Sequence, residues 1–274
     1  MKIDKHFWLN VLAGLVIFAY AGLVVATAVV DVRVFLFFVL HWYVAVFLQS
    51  FFLHRYAAHA MFTMHRWWEK FFHILTYMIH GSSYLVPSAY AILHRLHHKF
   101  SDTIDDPHSP IFFKDIFTLM HKTKWIYMKI LADANAYKAQ FTANYPIWKW
   151  FDAWGNSWIS RVLWGVLYIS IYALLGASWW MYFLLPIHFL MNPVHGAIVN
   201  RFGHMAGYIN YKLDDHSKNT LPIDILTVWE LFQNNHHAQG TNPKFARKWR
   251  EIDPTYAVMK LLARCRIIRF TWVK

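Results

Sequence analysis

Eight histidines fall in four short clusters: His54 and His59 in HRYAAH, His94, His97 and His98 in HRLHH, His204 in NRFGH, and His236 and His237 in QNNHH. Imidazole is the commonest biological metal ligand and suits iron, zinc and copper. Cys265 is the sole cysteine, so no intrachain disulfide or thiolate cluster is encoded and a metal must be held by nitrogen and oxygen. Eight ligands exceed what one metal can use, which points to a two-metal centre.

Spacing explains how the clusters chelate. In HRLHH the i, i+3, i+4 pattern puts all three rings on one helix face. Gln233, His236 and His237 repeat that spacing, and Asn200 and His204 are i, i+4. His54 and His59 are five apart, which on an ideal helix is about 140°. That pair needs a bent helix end, or it straddles two metals. Any one cluster alone has a plainer reading, as a wet helix end or an interfacial hydrogen-bonding group. All four next to apolar segments favour ligation.

The elements that must position them are membrane spans. Hydrophobic residues make up 57% of the 274 and charged residues 15%, too apolar for an ordinary soluble domain. Trp8–Val30, Val34–Leu53 and Val162–Asn200 carry no charge, and a span needs about 20 apolar residues. The expected fold is an all-α membrane protein. Its four transmembrane helices lie at about 8–30, 33–53, 159–177 and 179–200, and a cytoplasmic helical cap made of 54–158 and 201–274 holds the histidine-rich site. The chain reads as a single domain. The first run is too long for a cleavable signal peptide and leads straight into a second span.

Segment 54–157 holds eleven Lys/Arg and 201–274 holds twelve, with Lys2 and Lys5 in the N-terminal tail and Arg33 on the opposite side. This bias puts both termini and the site in the cytoplasm. The net charge of +12 is thus topogenic, dispersed, and unaccompanied by any nucleic-acid motif, so no nucleic-acid partner is expected. Residues 71–93 are uncharged too, but a fifth crossing would put two clusters on opposite sides of the bilayer. Gly81, Ser82, Ser83 and Pro87 break the run, which therefore reads as interfacial or re-entrant. Segments 112–131 and 145–158, rich in Trp, Phe and Lys, read as helices in the interface.

In this order, HRYAAH, HRLHH and QNNHH resemble the three histidine boxes of integral-membrane fatty acid desaturases. NRFGH resembles the Asn-xxx-His element of the acyl-CoA desaturase branch. The similarity continues through FSDTIDDPHSP, GHMAGYINY and NPKFARKWREIDPTY, covering about residues 45–270. The resemblance implies that His54, His59, His94, His97, His98, His204, His236 and His237 bind two ferrous ions, with Asn200 a weaker or water-mediated ligand. Gln233 departs from the pattern, since family members often have His there. Its amide offers only an oxygen or a water-bridged contact.

Asp106, His108 and His195 are candidates for supporting or passage-lining roles, with Asp102, Asp105, Asp214 and Asp215 as further partners for ligating imidazoles. Arg55, Arg95, Lys99 and Arg201 are candidates for meeting the phosphates of CoA or lipid. His6, His41, His65, His73, His80, His121, His188 and His216 match no box.

The implied reaction is O₂- and electron-dependent insertion of a cis double bond into a fatty acyl chain, carried by CoA or lipid, at a di-iron centre. The chain has no dinucleotide fingerprint or haem domain, so an external donor such as ferredoxin or cytochrome b5 with its reductase is expected. Its compactness favours a bacterial inner membrane. A di-iron hydroxylase of fatty acids, alkanes or carotenoids is the nearest alternative. A non-enzymatic metal carrier is less favoured, because the spans offer few ionisable groups.

Overall fold

The computed structural model describes residues 5–221, 224, 227, 228 and 230–271; Lys2 lies outside them. Helix α1 (Lys5–Val30) packs on α2 (Val32–Leu48). Between them the Asp31 side chain accepts hydrogen bonds from the backbone N–H of Arg33 and Val34 and caps α2, while Arg33 reaches back to it at 2.9 Å. α1 buries Thr27 and leaves Leu15, Phe18, Val25 and Val29 exposed. So much uncovered apolar surface on one helix calls for lipid rather than water around it.

α2 does not stop where the uncharged run stops. It continues through Ala58 in π-helical turns over Gln49–Ala58, making a helix of 27 residues. Strand β1 (Phe62–Met64) follows and pairs antiparallel with β2 (Ile268–Phe270), with Phe62 opposite Phe270. The all-α expectation misses this ribbon. Three-residue strands leave little period to read, yet this one ties the end of the chain to the exit of α2.

Residues 71–93 fold as the greater part of α3 (Arg66–His80), a tight turn at 81–83, and the start of α4 (Pro87–Phe100). Gly81 adopts φ 51° there, a conformation glycine takes without Cβ cost. The expected interfacial helices correspond to α5 (Ile116–Ala132) and to α6 (Lys149–Asn156). α6 runs into α7 (Trp158–Leu174) with a 57° bend.

The expected fourth span is not one straight helix. A 3₁₀ stretch over 179–184 leads into α8 (Leu185–Phe189), and α9 (Met191–Met205) starts anew at a 68° bend. Pro193 is the physical reason. It has no N–H to give the Phe189 carbonyl and its ring would clash there, so proline is tolerated only in a helix's first turn. The freed Phe189 carbonyl accepts instead from Ser82 Oγ at 3.2 Å. Among the described residues, two helices are thus long and apolar enough to cross a membrane, and up to four if each bent pair is one span.

α10 (Gln233–Ala238) and α11 (Pro254–Arg264) complete the described helices. The core at the site's base gathers Phe51, Phe52, Phe62, Phe72, Phe232, Phe245 and Met259 around the exit of α2.

Candidate metal centre

The π turns answer the spacing problem of the first box. Their hydrogen bonds close i to i+5, and the His59 N–H donates to the His54 carbonyl at 3.1 Å. Residues five apart become neighbours, and the two rings lie 5.1 Å apart. The pair therefore faces one centre and does not straddle two. On α4, His94 and His98 share a face one turn apart. His97 lies about 100° round the helix from His98 and turns to a second centre. On α10 the adjacent His236 and His237 diverge in the same way.

The eight histidines sort into five and three. His54, His59, His94, His98 and His236 form one group, and His97, His204 and His237 the other; within each, one ligand atom per residue lies within 4.8 Å of all the rest. In the group of five, Nε2 of His54 is 2.9 Å from Nε2 of His236, which is 2.9 Å from that of His98. Nε2 of His94 lies 3.0 Å from that of His98 and 2.9 Å from that of His59. Ligands at right angles on a metal, with bonds of about 2.1 Å as in imidazole–zinc sites, have nitrogens about 3 Å apart. Lone pairs turned on one another at this spacing suit a shared cation.

Carboxylates fix which nitrogen faces the metal. His97 Nδ1 pairs with Asp106 at 2.9 Å, His204 Nδ1 with Asp102 at 2.9 Å and His237 Nδ1 with Asp215 at 2.7 Å. His54 Nδ1 pairs with Glu230. A neutral ring that gives its Nδ1 proton to a carboxylate presents a bare Nε2 lone pair. Nε2 of His204 and of His237 are buried without a hydrogen-bond partner, which in a folded protein calls for an explanation. A metal supplies one.

Burial, then crowding by neighbouring imidazoles, holds His94, His97, His98 and His236 well below the usual histidine range. They are neutral at physiological pH, the form that ligates. At Asp102 and Asp215 burial works upward, but the bonds to His204 and His237 prevail and hold both carboxyls low. At Glu230 burial is likewise outweighed by His54, Arg55 and Ser50, leaving it at about 2.

A cavity of about 840 Å³ leads away from this centre between α4, α5, α7 and α9. His54, His94 and His97 stand in its wall, with Leu85, Leu93, Val162, Phe189 and Val199 along it. Asn200, Gln233 and His195 also line it. Gln233 is buried against Gly203, and its amide nitrogen donates to the Glu230 carbonyl at 2.6 Å. His108 lines the cavity too, its ring 4.3 Å from that of His97 and both its nitrogens unpartnered. Asp105 and Asp214 are exposed.

The four basic candidates do not meet at this cavity. Arg55 is fully buried, paired with Asp253 at 3.1 Å, bonded to Ser50 and stacked on Phe245. Arg95 spends its guanidinium on the carbonyls of Ala57, Ala58, Phe141 and Ala143. Both guanidiniums are thus engaged with partners within the protein. Arg95 and Lys99 line a separate, smaller pocket beside His59 and His98, and Arg201 lines neither pocket.

Of the histidines outside the boxes, His108 forms a further possible group with His97 and Asp106. His73 binds Asp152 and Tyr84, and His41 and His188 pair with each other at 2.6 Å. Sequence reasoning missed Glu230. Its signal was a lone carboxylate in the apolar stretch three residues before Gln233. Asp253, which neutralises Arg55, gave no such signal.

Comparison with known proteins agrees with this geometry. The chain is 28% identical over 212 residues to the sn-1 stearoyl-lipid 9-desaturase of Synechocystis, covering 77% of the chain and 62% of that protein. It is 29% identical over 236 residues to an acyl-CoA 5-desaturase of Anemone leveillei, covering 76% and 62% respectively. Both relatives are fatty acid desaturases, and the chain is similar to them over about three quarters of its length. No family model matches the chain. It spans a little under two thirds of the length of these two relatives.

Proposed function

We propose that this chain is a membrane fatty acyl desaturase, introducing a cis double bond at a di-iron centre. The division of eight buried histidines into a group of five and a group of three carries this reading. When bound, the two irons supply the oxidising power to remove hydrogen from unactivated C–H bonds, which no side-chain acid or base can do. Two hydrogens leave adjacent carbons, and with two electrons and two protons from outside they reduce O₂ to two waters. His54, His59, His94, His98 and His236 would hold one iron. His97, His204 and His237 would hold the other, with Asn200 and Gln233 of the cavity wall as candidates to offer an amide oxygen or orient a water.

The protein's own work is positional. Asp102, Asp106, Asp215 and Glu230 keep the imidazoles oriented, and the cavity walls exclude water and align an alkyl chain beside His94 and His97. With four spans, counting each bent pair as one, the site would lie on the cytoplasmic face, a reading that the distribution of basic residues supports. A bacterial inner membrane is the proposed location. The electrons come from an external donor such as ferredoxin or cytochrome b5 with its reductase, for which a basic cytoplasmic surface suits an acidic partner.

Gas chromatography of total fatty acids from cells expressing the protein tests the reading. Wild type is expected to add unsaturated chains, and His97→Ala to add none while still inserting in the membrane. Hydroxylated chains without new unsaturation would instead identify a hydroxylase.

A further inference from the structure

Resting on that reading, we infer that the acyl chain enters sideways from the bilayer, still attached to a glycerolipid, through the gap between α5 and α7. The large cavity opens where its wall is exposed. Met128 of α5 and Trp158 and Val162 of α7 line it and are 51%, 81% and 58% exposed. These residues are continuous with the uncovered face of α7 formed by Ile159, Leu163 and Val166, which must be covered by lipid. The rim therefore faces hydrocarbon. Trp158, at the first turn of α7, marks the headgroup level, where tryptophan concentrates.

Charge at the rim argues the same way. A coenzyme A thioester brings a nucleotide with several phosphates, which calls for a cluster of free cations. Arg161 lines the cavity, but its guanidinium is already bonded to the Tyr84 carbonyl at 3.1 Å, to Asn156 Oδ1 at 2.9 Å and to the Ser82 carbonyl. Among the described residues, Lys124 is the exposed rim cation with no ion pair or hydrogen bond. A single ammonium beside a tryptophan matches the one phosphate of an anionic glycerolipid. Arg55 and Arg95 are consumed within the fold, and Arg201 stands away from the opening.

The test uses purified, iron-loaded full-length protein in nanodiscs, chemically reduced and exposed to air for a single turnover, which removes dependence on any particular donor. One sample carries distearoyl phosphatidylglycerol and the other receives stearoyl-CoA. The lipid chain is expected to gain a double bond about tenfold faster than the thioester, and Val162→Trp, which fills the gap, to slow the lipid reaction about tenfold with iron content unchanged. Val162 is on the surface, so this substitution does not disturb the core. Equal or faster turnover of stearoyl-CoA, or an unaffected Val162→Trp protein, would overturn lateral entry and leave the desaturase reading standing. A double bond in neither substrate would sink both.

Discussion

At the scale of single residues, the site depends on groups that never touch the reacting chain. Glu230 holds His54, and Asp102, Asp106 and Asp215 hold the three histidines of the smaller group. Losing such a partner typically costs about 10- to 100-fold in metal affinity. Glu230→Gln keeps the shape but removes the charge, so iron retention during dialysis against a chelator should fall by about that factor; unchanged retention would mean that Glu230 does not orient His54. Gln233 offers the complementary experiment. It lies in the cavity wall beside Asn200, where the smaller group has three nitrogens against five. Gln233→His should raise iron retention at the weaker site, and metal analysis showing no change would refute a deficit there. The eight candidate ligands were legible from type and spacing. Glu230 was not, because one carboxylate amid apolar residues says nothing of which distant histidine it will meet.

At the scale of elements, two features decide whether the boxes converge. The first is the π winding of Gln49–Ala58. The five-residue spacing announced that an ideal helix would fail, but nothing in the residue types told which distortion would replace it. The second is the turn between α3 and α4. Gly81 was readable as a break; what was hidden is how closely α7 approaches it. A Cβ at Gly81 would lie 2.0 Å from the Tyr168 hydroxyl. That sparsely populated backbone conformation costs a non-glycine residue on the order of 1–3 kcal/mol, and the overlap adds to it. Gly81→Ala should therefore lower the thermal midpoint of the purified protein, and Tyr168→Phe, by removing the obstructing oxygen, should recover part of the loss. An unshifted midpoint in Gly81→Ala would show that the turn is not tightly set. The break at Pro193 was also visible as a residue, yet reading the run by hydropathy alone made it one straight span. Hydropathy reports how apolar a segment is and is blind to a missing N–H.

At the scale of the whole molecule, the apolar helices and the histidine-bearing elements make one device. Two to four apolar helices are suited to cross a membrane, α4, α9, α10 and the end of α2 bring histidines together, and a cavity runs from them between α5 and α7. The membrane character was plain from composition, whereas the cavity depends on long-range packing that no local pattern encodes. The central claim is that eight histidines build two unlike metal sites, one with five nitrogens and one with three. Mössbauer spectroscopy of purified protein enriched in the active iron isotope, with the iron-to-protein ratio measured on the same sample, tests it most directly. The account predicts two irons per chain in two distinct ferrous doublets of equal area. One iron per chain, or a single doublet from two equivalent irons, would contradict it.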